Sequence, residues 1–538
     1  MTSSTPSTKF ETTLRTLDFS PPIKQSRYRH EAESLTRPRA IFFSGPCHSA
    51  GGGQWSMPLT GDWSSSTEIT QTIALSTLPS LPMTTTATQQ RGVIGAETIE
   101  ALRLSLECDA TYRLARNAVT KVGADDAALN RDVVSQADWS FSTWLDDWPA
   151  TNQKKSGRCW MFAALNLFRA SVMKKLNVKK FEFSQNYTLF WDKFERANWF
   201  LECIIETATR DLGDRHVSFL LDYPIDDGGQ WNMFVNLVRR HGLVPKDLMP
   251  ETQSSSNTAR MNSVCKGFLR RFASDLRSAI EAGASEDEAR AIKETQLQTI
   301  WRVLCTHLGE PPKSFLWQYN DKDRVFHREG EMTPVEFAQK YVDIPLDEYV
   351  CLVHDPRPEH PFGKTYTVEF LGNIVGGEQV VYLNVDIETM KRAAVETLEE
   401  GEPVWFGCDV GKQFHRQVGL WDAELFDYDV LYGEPEGLDK AGRLHFHHTA
   451  MTHAMLFTGV DVLEGVPQKW RVENSWGDDQ VGRKGFQLMN DSWFEQYVFE
   501  IATHRSKLPA ALQAAFSEPP QVLAPWDPMG ALASQEAG

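Results

Sequence analysis

The sequence predicts an α+β protein built from two packed lobes, one mainly helical and one mainly β. Three observations predict it. Apolar residues recur at helical spacing up to about residue 345. After about residue 365 the chain turns to short β-rich runs bounded by Gly, Pro, Asp and Asn. A chain of 538 residues with 41% hydrophobic side chains, 17 Trp and 30 Phe can bury a large core, which excludes a wholly disordered protein. Helices gathered before strands imply segregated layers.

The elements follow in order. Residues 1–98 read as an extension, not a domain. Ser49-Ala50-Gly51-Gly52-Gly53 is a flexible loop, and residues 64–90 are polar with little periodicity. Ile99, Leu102, Leu104 and Leu106 open an ordered stretch, and residues 109–134 are charged and helical in pattern. Gln153 to Gly157 is a polar loop. Phe162, Leu165, Phe168, Val172 and Leu176 then mark an amphipathic helix that begins beside Cys159. Residues 186–345 read as mostly helical, with an insertion of about 190–345. Leu269, Phe272, Leu276 and Ile280 form one stripe. Ser285-Glu286-Asp287-Glu288 is a capping box opening a second helix, with Ile292, Leu297, Ile300, Leu304 and Leu308 on its core face. Strands are expected at Thr365–Leu371, Val380–Leu383, Val404–Cys408, Leu456–Val460 and Lys469–Val472.

Charge and cysteine usage narrow the function classes. The net charge of −17 disfavours a dedicated nucleic-acid binder. The best basic cluster, Lys174, Lys175, Lys179 and Lys180, reads as a solvated helix end; a nucleic-acid or regulatory role is the rival it would support. No apolar run of about 18 residues, the length of a membrane span, occurs. Eight scattered cysteines without a C-x-x-C pair suit a reducing compartment and suggest neither a disulfide framework nor a zinc site, so no metal or cofactor is expected. Cytoplasm is the expected location. The first 39 residues, basic and rich in Ser and Thr, bear a faint likeness to a transit segment, which adds a mitochondrial pool as a second expectation.

A nucleophilic cysteine needs a lowered pKa, a base, and donors for the developing oxyanion. Cys159 stands at a helix N-terminus, where the macrodipole favours a thiolate. Gln153 can turn its amide toward the same point, and the Cys159 backbone N–H is the second donor. Among fourteen His, His453 heads a β-rich run that would hold its imidazole rigidly. Asn474, in Glu473-Asn474-Ser475-Trp476-Gly477, can fix the imidazole tautomer, and Trp476 can shield that hydrogen bond from water.

Gln153, Gly157-Arg158-Cys159-Trp160, His453 and Asn474-Ser475-Trp476-Gly477 stand in the chain order of the papain-like cysteine peptidases, which the sequence closely resembles. Cys159 and His453 lie 294 residues apart (453 − 159), far more than in papain. Asn152 to Phe162, Ser184-Gln185-Asn186-Tyr187, Asp227-Gly228-Gly229-Gln230-Trp231, Ser254 to Thr258, Trp470 to Asp478 and Pro525 to Ala533 resemble the bleomycin hydrolase (aminopeptidase C) branch. The resemblance spans residues 99–533. It implies a two-lobe core with helical and hook insertions, a homohexamer, peptide substrates, and broad aminopeptidase activity. Bleomycin-type amide hydrolysis and homocysteine-thiolactone hydrolysis belong to the same implication. So do Gly228 and Gly229 as cleft glycines, and a C-terminal arm, residues 520–538, reaching toward the active site. In that family the terminal carboxylate pairs with the substrate ammonium. Here Ser534-Gln535-Glu536-Ala537-Gly538 follow Ala533, an excess of roughly 16 Å if extended. Trimming back toward Ala533 is therefore expected.

Overall fold

The computed structural model describes residues 92–145, 148–477 and 481–533. Most of the 1–98 extension, and the tail after Ala533, lie outside the described residues. The ordered stretch opens with a helix, Ala96–Glu107. Ile99, Leu102, Leu104 and Leu106 all fall on it, yet each remains exposed.

Among the described residues the helical lobe is built around five longer helices: α1 (Cys159–Leu176), α2 (Gln185–Glu206), α3 (Trp231–His241), α4 (Ala259–Glu281) and α5 (Glu286–Leu308). The stripe expected for α1 underestimates its burial, because residues 159–168 are buried on every side. Such a helix lies inside a core, not upon it. It ends at Asn177, whose φ of 55° is the left-handed cap conformation. Helix α5 begins with the expected Ser285/Glu288 capping box. Its buried face differs from expectation. Ala289, Lys293, Gln296, Ile300, Leu304 and Leu308 point inward, whereas Ile292 is exposed and Leu297 half-buried. Lys293 is accommodated by its ion pair with Glu202 of α2, at 2.5 Å.

The mostly helical reading of 186–345 needs one correction. Strands β1 (Phe315–Asn320) and β2 (Phe326–Met332) form an antiparallel hairpin within it. Alternation of exposed and covered residues in β1 is the period-2 signature of a half-buried strand.

The second lobe is a twelve-stranded sheet among the described residues. Its centre runs in the order β3 (Tyr349–Val353), β8 (Val498–His504), β4 (Val404–Cys408), β5 (His453–Leu463), β6 (Val466–Glu473), β7 (Phe486–Asn490), with every neighbouring pair antiparallel. The run expected over Thr365–Leu371 forms a strand only to Val368, because Phe370 takes a φ of 60° that breaks the extended backbone. The run expected at Val380–Leu383 forms a strand at Tyr382–Asn384. One face of the sheet packs on α1 and the helical core; the other closes a second core of Phe406, Phe457, Trp470, Trp493 and Phe494. The architecture is α+β.

Candidate active site

Cys159 is the first residue of α1, and Arg158 precedes it as a buried N-cap. Arg158 carries no exposed side-chain surface. It makes a two-pronged pair with Glu251, at 2.9 and 2.8 Å, and donates Nε to Ser156 Oγ at 2.8 Å. A planar guanidinium held at both ends fixes the loop that delivers Cys159.

The thiol is buried. Burial pushes Cys159 up to about 12, against the pull of the N–H groups of Ala454, Trp160 and Cys159 itself, which point at the sulfur. The Ala454 contact sets the thiol against the start of β5, one residue from His453. An isolated thiol in this position would stay protonated. Ionising it requires a nearby positive charge, and an imidazolium at His453 is the group to supply one.

His453 is buried at the head of β5, opposite Cys408 of β4. Its Nε2 lies 2.9 Å from Asn474 Oδ1. Asn474 is itself oriented: Nδ2 donates to Gln487 Oε1 at 3.1 Å, and Oδ1 accepts from the Ser475 N–H at 2.8 Å. Oδ1 is therefore the acceptor toward His453, so Nε2 carries the proton and Nδ1 is the basic nitrogen. The Trp476 ring covers this pair, its centroid 5.1 Å from that of His453. The Arg416 guanidinium carbon lies 4.8 Å from the Trp476 ring centroid.

Gln153 is fully buried in the loop before α1. Its Oε1 accepts from Ser475 Oγ at 2.6 Å and its Nε2 donates to Ser156 O at 2.7 Å. The Gln153 N–H donates to Ser475 O at 2.9 Å. The segment carrying Gln153 is thus stitched to the segment carrying Asn474. Glu473 ties that second segment to α1, accepting from Asn166 at 3.0 Å and from Arg169 at 2.5 Å. The fold therefore gathers Gln153, Cys159, His453, Asn474 and Trp476 into one place, although they come from three distant stretches of chain.

Gly229 sits beside this cluster for a reason the sequence reading did not foresee. A Cβ there would lie 2.6 Å from the Trp160 ring. Its N–H donates to Ala533 O at 3.3 Å, and the neighbouring Gln230 Nε2 donates to Ala531 O at 2.5 Å. Ala533 is buried. Gly228 accepts from Arg196 Nη2 through its carbonyl, at 2.5 Å.

Sequence reasoning quoted Asp227 without giving it work. Asp227 is buried and organises the whole corner. Its carboxylate accepts from the Gly157 N–H at 3.1 Å, from Asn262 Nδ2 at 2.7 Å and from the Thr258 hydroxyl, and pairs with the buried Lys193 at 2.5 Å. Its carbonyl accepts from Trp160 Nε1 at 2.7 Å. Burial works to raise its pKa, but Lys193 and the hydrogen bonds outweigh this and hold the carboxyl well below the usual range. The signal available in sequence was only an acid directly before Gly228-Gly229. A cavity of about 650 Å³ between Trp148, Phe181, Lys246 and Trp317 includes none of these site residues.

A buried thiol at a helix start and an asparagine-held imidazole, set between a helical lobe and a β lobe, define a cysteine peptidase of papain type. The comparisons place it further. The model of the Peptidase C1-like family matches residues 93–530, and the chain belongs to that family. It is 42% identical to human bleomycin hydrolase over 450 residues, covering 82% of this chain and 99% of that protein. It is 44% identical to aminopeptidase C of Streptococcus thermophilus over 437 residues, covering 81% and 98%. The crystal structure of PepW from Lactobacillus rhamnosis HN001 superposes with a TM-score of 0.81 at 42% identity, covering 82% of this chain and all of that one. The branch expected from the motifs, bleomycin hydrolase and aminopeptidase C, is thereby shown, and the chain is a cysteine-type aminopeptidase of that branch.

Proposed function

We propose that this enzyme removes N-terminal residues of broad identity from peptides through a thioester acyl-enzyme. The Cys159 thiolate attacks the carbonyl carbon. The Gln153 amide and the Cys159 N–H receive the oxyanion. Imidazolium His453 gives its proton to the departing amine, and Asn474 keeps the ring in register. A water deprotonated by His453 then hydrolyses the thioester and frees the thiol. An amide nitrogen has two N–H bonds, so the bond from Gln153 to Ser156 O orients the other.

The observation that carries the exopeptidase reading is the bridge between Gly229 and Ala533. It brings the C-terminal arm to the glycine that abuts Trp160, next to the nucleophile. A cleft occupied from that side leaves room for a short amino-terminal portion of substrate. The same acyl chemistry extends to the amide of bleomycin-type compounds and to homocysteine thiolactone. A homohexamer in the cytoplasm completes the reading. Among the described residues no helix is long and apolar enough to cross a membrane.

The test is a matched pair of fluorogenic peptides, one with a free N-terminus and one acetylated, under reducing conditions. Preference for the free amine is expected. Equal or faster cleavage of the acetylated peptide would overturn the aminopeptidase register.

A further inference from the structure

The C-terminal segment is fastened repeatedly before it reaches Gly229. Gln521–Leu523 pairs in parallel with residues 366–368. The Trp526 ring lies 3.7 Å from the Arg215 guanidinium carbon and 5.1 Å from the His216 ring. Asp527 Oδ1 then accepts from Arg357 Nη2 at 2.8 Å.

The last of these anchors differs in kind. Arg357 is buried and is held in place by its own neighbourhood. It grips Asp355 through Nε and Nη2, at 2.7 to 3.1 Å, and Asp355 also meets His360 Nδ1 at 2.8 Å. Asn384 braces the same turn, donating to the carbonyls of Asp355 and His360 at 2.9 and 2.7 Å. Donor atoms of Asp355, His360 and Asp527 fall within 4.8 Å of one another, a spacing that resembles a cation site. The guanidinium already fills that role, because a single Nη2 serves both carboxylates. Arg357 is thus a fixed post, and Asp527 is the point at which the arm is tied to it. Asp527 Oδ1 also accepts from the Met529 N–H at 2.9 Å and so starts the short turn Pro528–Gly530. One carboxylate therefore sets both where the last stretch begins and which way it leaves. The six steps from Asp527 to Ala533 span at most about 22 Å, so a displaced start is passed on to the end.

We infer that Arg357 and Asp527 form the positioning pair that sets how far the C-terminal arm reaches into the cleft, and hence where the amino end of a substrate must stop. This rests on the aminopeptidase reading above. Neither residue touches substrate; both act through the arm. Loss of the Asp527 carboxylate leaves the arm attached through Gln521–Leu523 and Trp526, with its end held only by the hydrogen bonds from Gln230 to Ala531 O and from Gly229 to Ala533 O, so its reach is less sharply set and selection for a free amino terminus weakens while the nucleophile is untouched.

The experiment measures kcat and KM for the free-amine and acetylated peptides with full-length wild type, Asp527→Ala and Asp527→Asn. Cys159 alkylation rate and urea midpoint are measured alongside. Asp527→Ala should lower the free-amine to acetylated ratio of kcat/KM at least tenfold. The loss should lie mainly in KM for the free-amine peptide, at an unchanged alkylation rate. Asp527→Asn keeps the turn acceptor and loses the charge, and should fall between. Arg357→Lys keeps the charge but not the shared fork, and should also be intermediate. Ratios unchanged from wild type in folded Asp527→Ala or Asp527→Asn overturn the inference alone. A wild type that prefers the acetylated peptide overturns the aminopeptidase reading and this inference with it.

Discussion

Replacing Gly229 with Ala should slow the enzyme far more than its size suggests. The new Cβ would sit 2.6 Å from the Trp160 ring, where carbon atoms prefer about 3.5–4.0 Å. Roughly 1 Å must be found somewhere. Trp160 cannot yield easily: it is fully buried, its Nε1 is fixed on Asp227 O at 2.7 Å, and its carbonyl accepts from Trp405 Nε1 at 3.0 Å. Gly229 cannot retreat without breaking its bond to Ala533. Overpacking of this kind costs about 1–3 kcal/mol. Because Trp160 follows Cys159 directly, part of the shift reaches the nucleophile, and a misplacement of about 1 Å lowers rate on the order of 100-fold. The assay is kcat with the free-amine peptide together with the urea midpoint. Gly372→Ala is the control. Its Cβ would meet the Trp199 ring at the same 2.6 Å, but Trp199 is half-buried, is held by one longer bond from Nε1 to Phe370 O at 3.3 Å, and belongs to no part of the site. The reasoning predicts a large rate loss at Gly229 and none at Gly372. Wild-type rate and stability in Gly229→Ala would refute it, as would equal rate losses in the two variants.

Three further outcomes are expected. Asp227→Asn leaves the fully buried Lys193 charge without its partner, which should cost about 3–5 kcal/mol in urea unfolding. The wild-type Asp227 carboxyl is held below its ordinary value, so its stabilisation is complete above that value and fades as pH falls toward the depressed one; in Asp227→Asn this acid-side loss should be absent. Glu500 is buried, and desolvation pushes its carboxyl up from 4.5 to about 8, so the folded state holds its proton longer than the unfolded chain. Its contribution is full below pH 4.5 and is lost as pH rises to about 8; Glu500→Gln should flatten the urea midpoint across that window, and an unaltered slope would contradict the assignment. Iodoacetamide should alkylate Cys159 at neutral pH in wild type. In His453→Ala the rate should climb steadily with pH toward about 12, where burial, against the pull of the neighbouring N–H groups, places the thiol, and neutral alkylation at the wild-type rate would show that the imidazole is not the activating charge.

The parts of the site carried by local motifs were legible in the sequence. Cys159 opens a helix whose apolar spacing is visible, and His453 heads a run that reads as strand without reference to anything distant. Asn474 was readable because its neighbours repeat a recognisable pattern. What the sequence hid depends on tertiary partners. Lys293 belongs to a buried stripe only because Glu202 of another helix meets it. In β1 the aromatics Phe315, Trp317 and Tyr319 alternate with Leu316, Gln318 and Asn320, and surrounding helical periodicity masked this shorter period. Asp227 acquires its role from Gly157, Lys193, Thr258 and Asn262, which are up to 70 residues away along the chain. The reason for Gly229 could not be read without knowing which ring lies above it.

The burial of α1 against β5 has a consequence for how the protein is made. Helix α1 is synthesised early, yet the strand it packs upon begins at His453, 294 residues after Cys159 (453 − 159). At about 5–20 residues per second, the ribosome needs roughly 15–60 s to cover that distance. Throughout that interval the apolar flank of α1 has no sheet to lie against, and the thiol has no imidazole beside it. The nascent chain is therefore catalytically inert until the second lobe emerges, and it depends on the helical lobe, or on a chaperone, to keep that flank from sticking elsewhere.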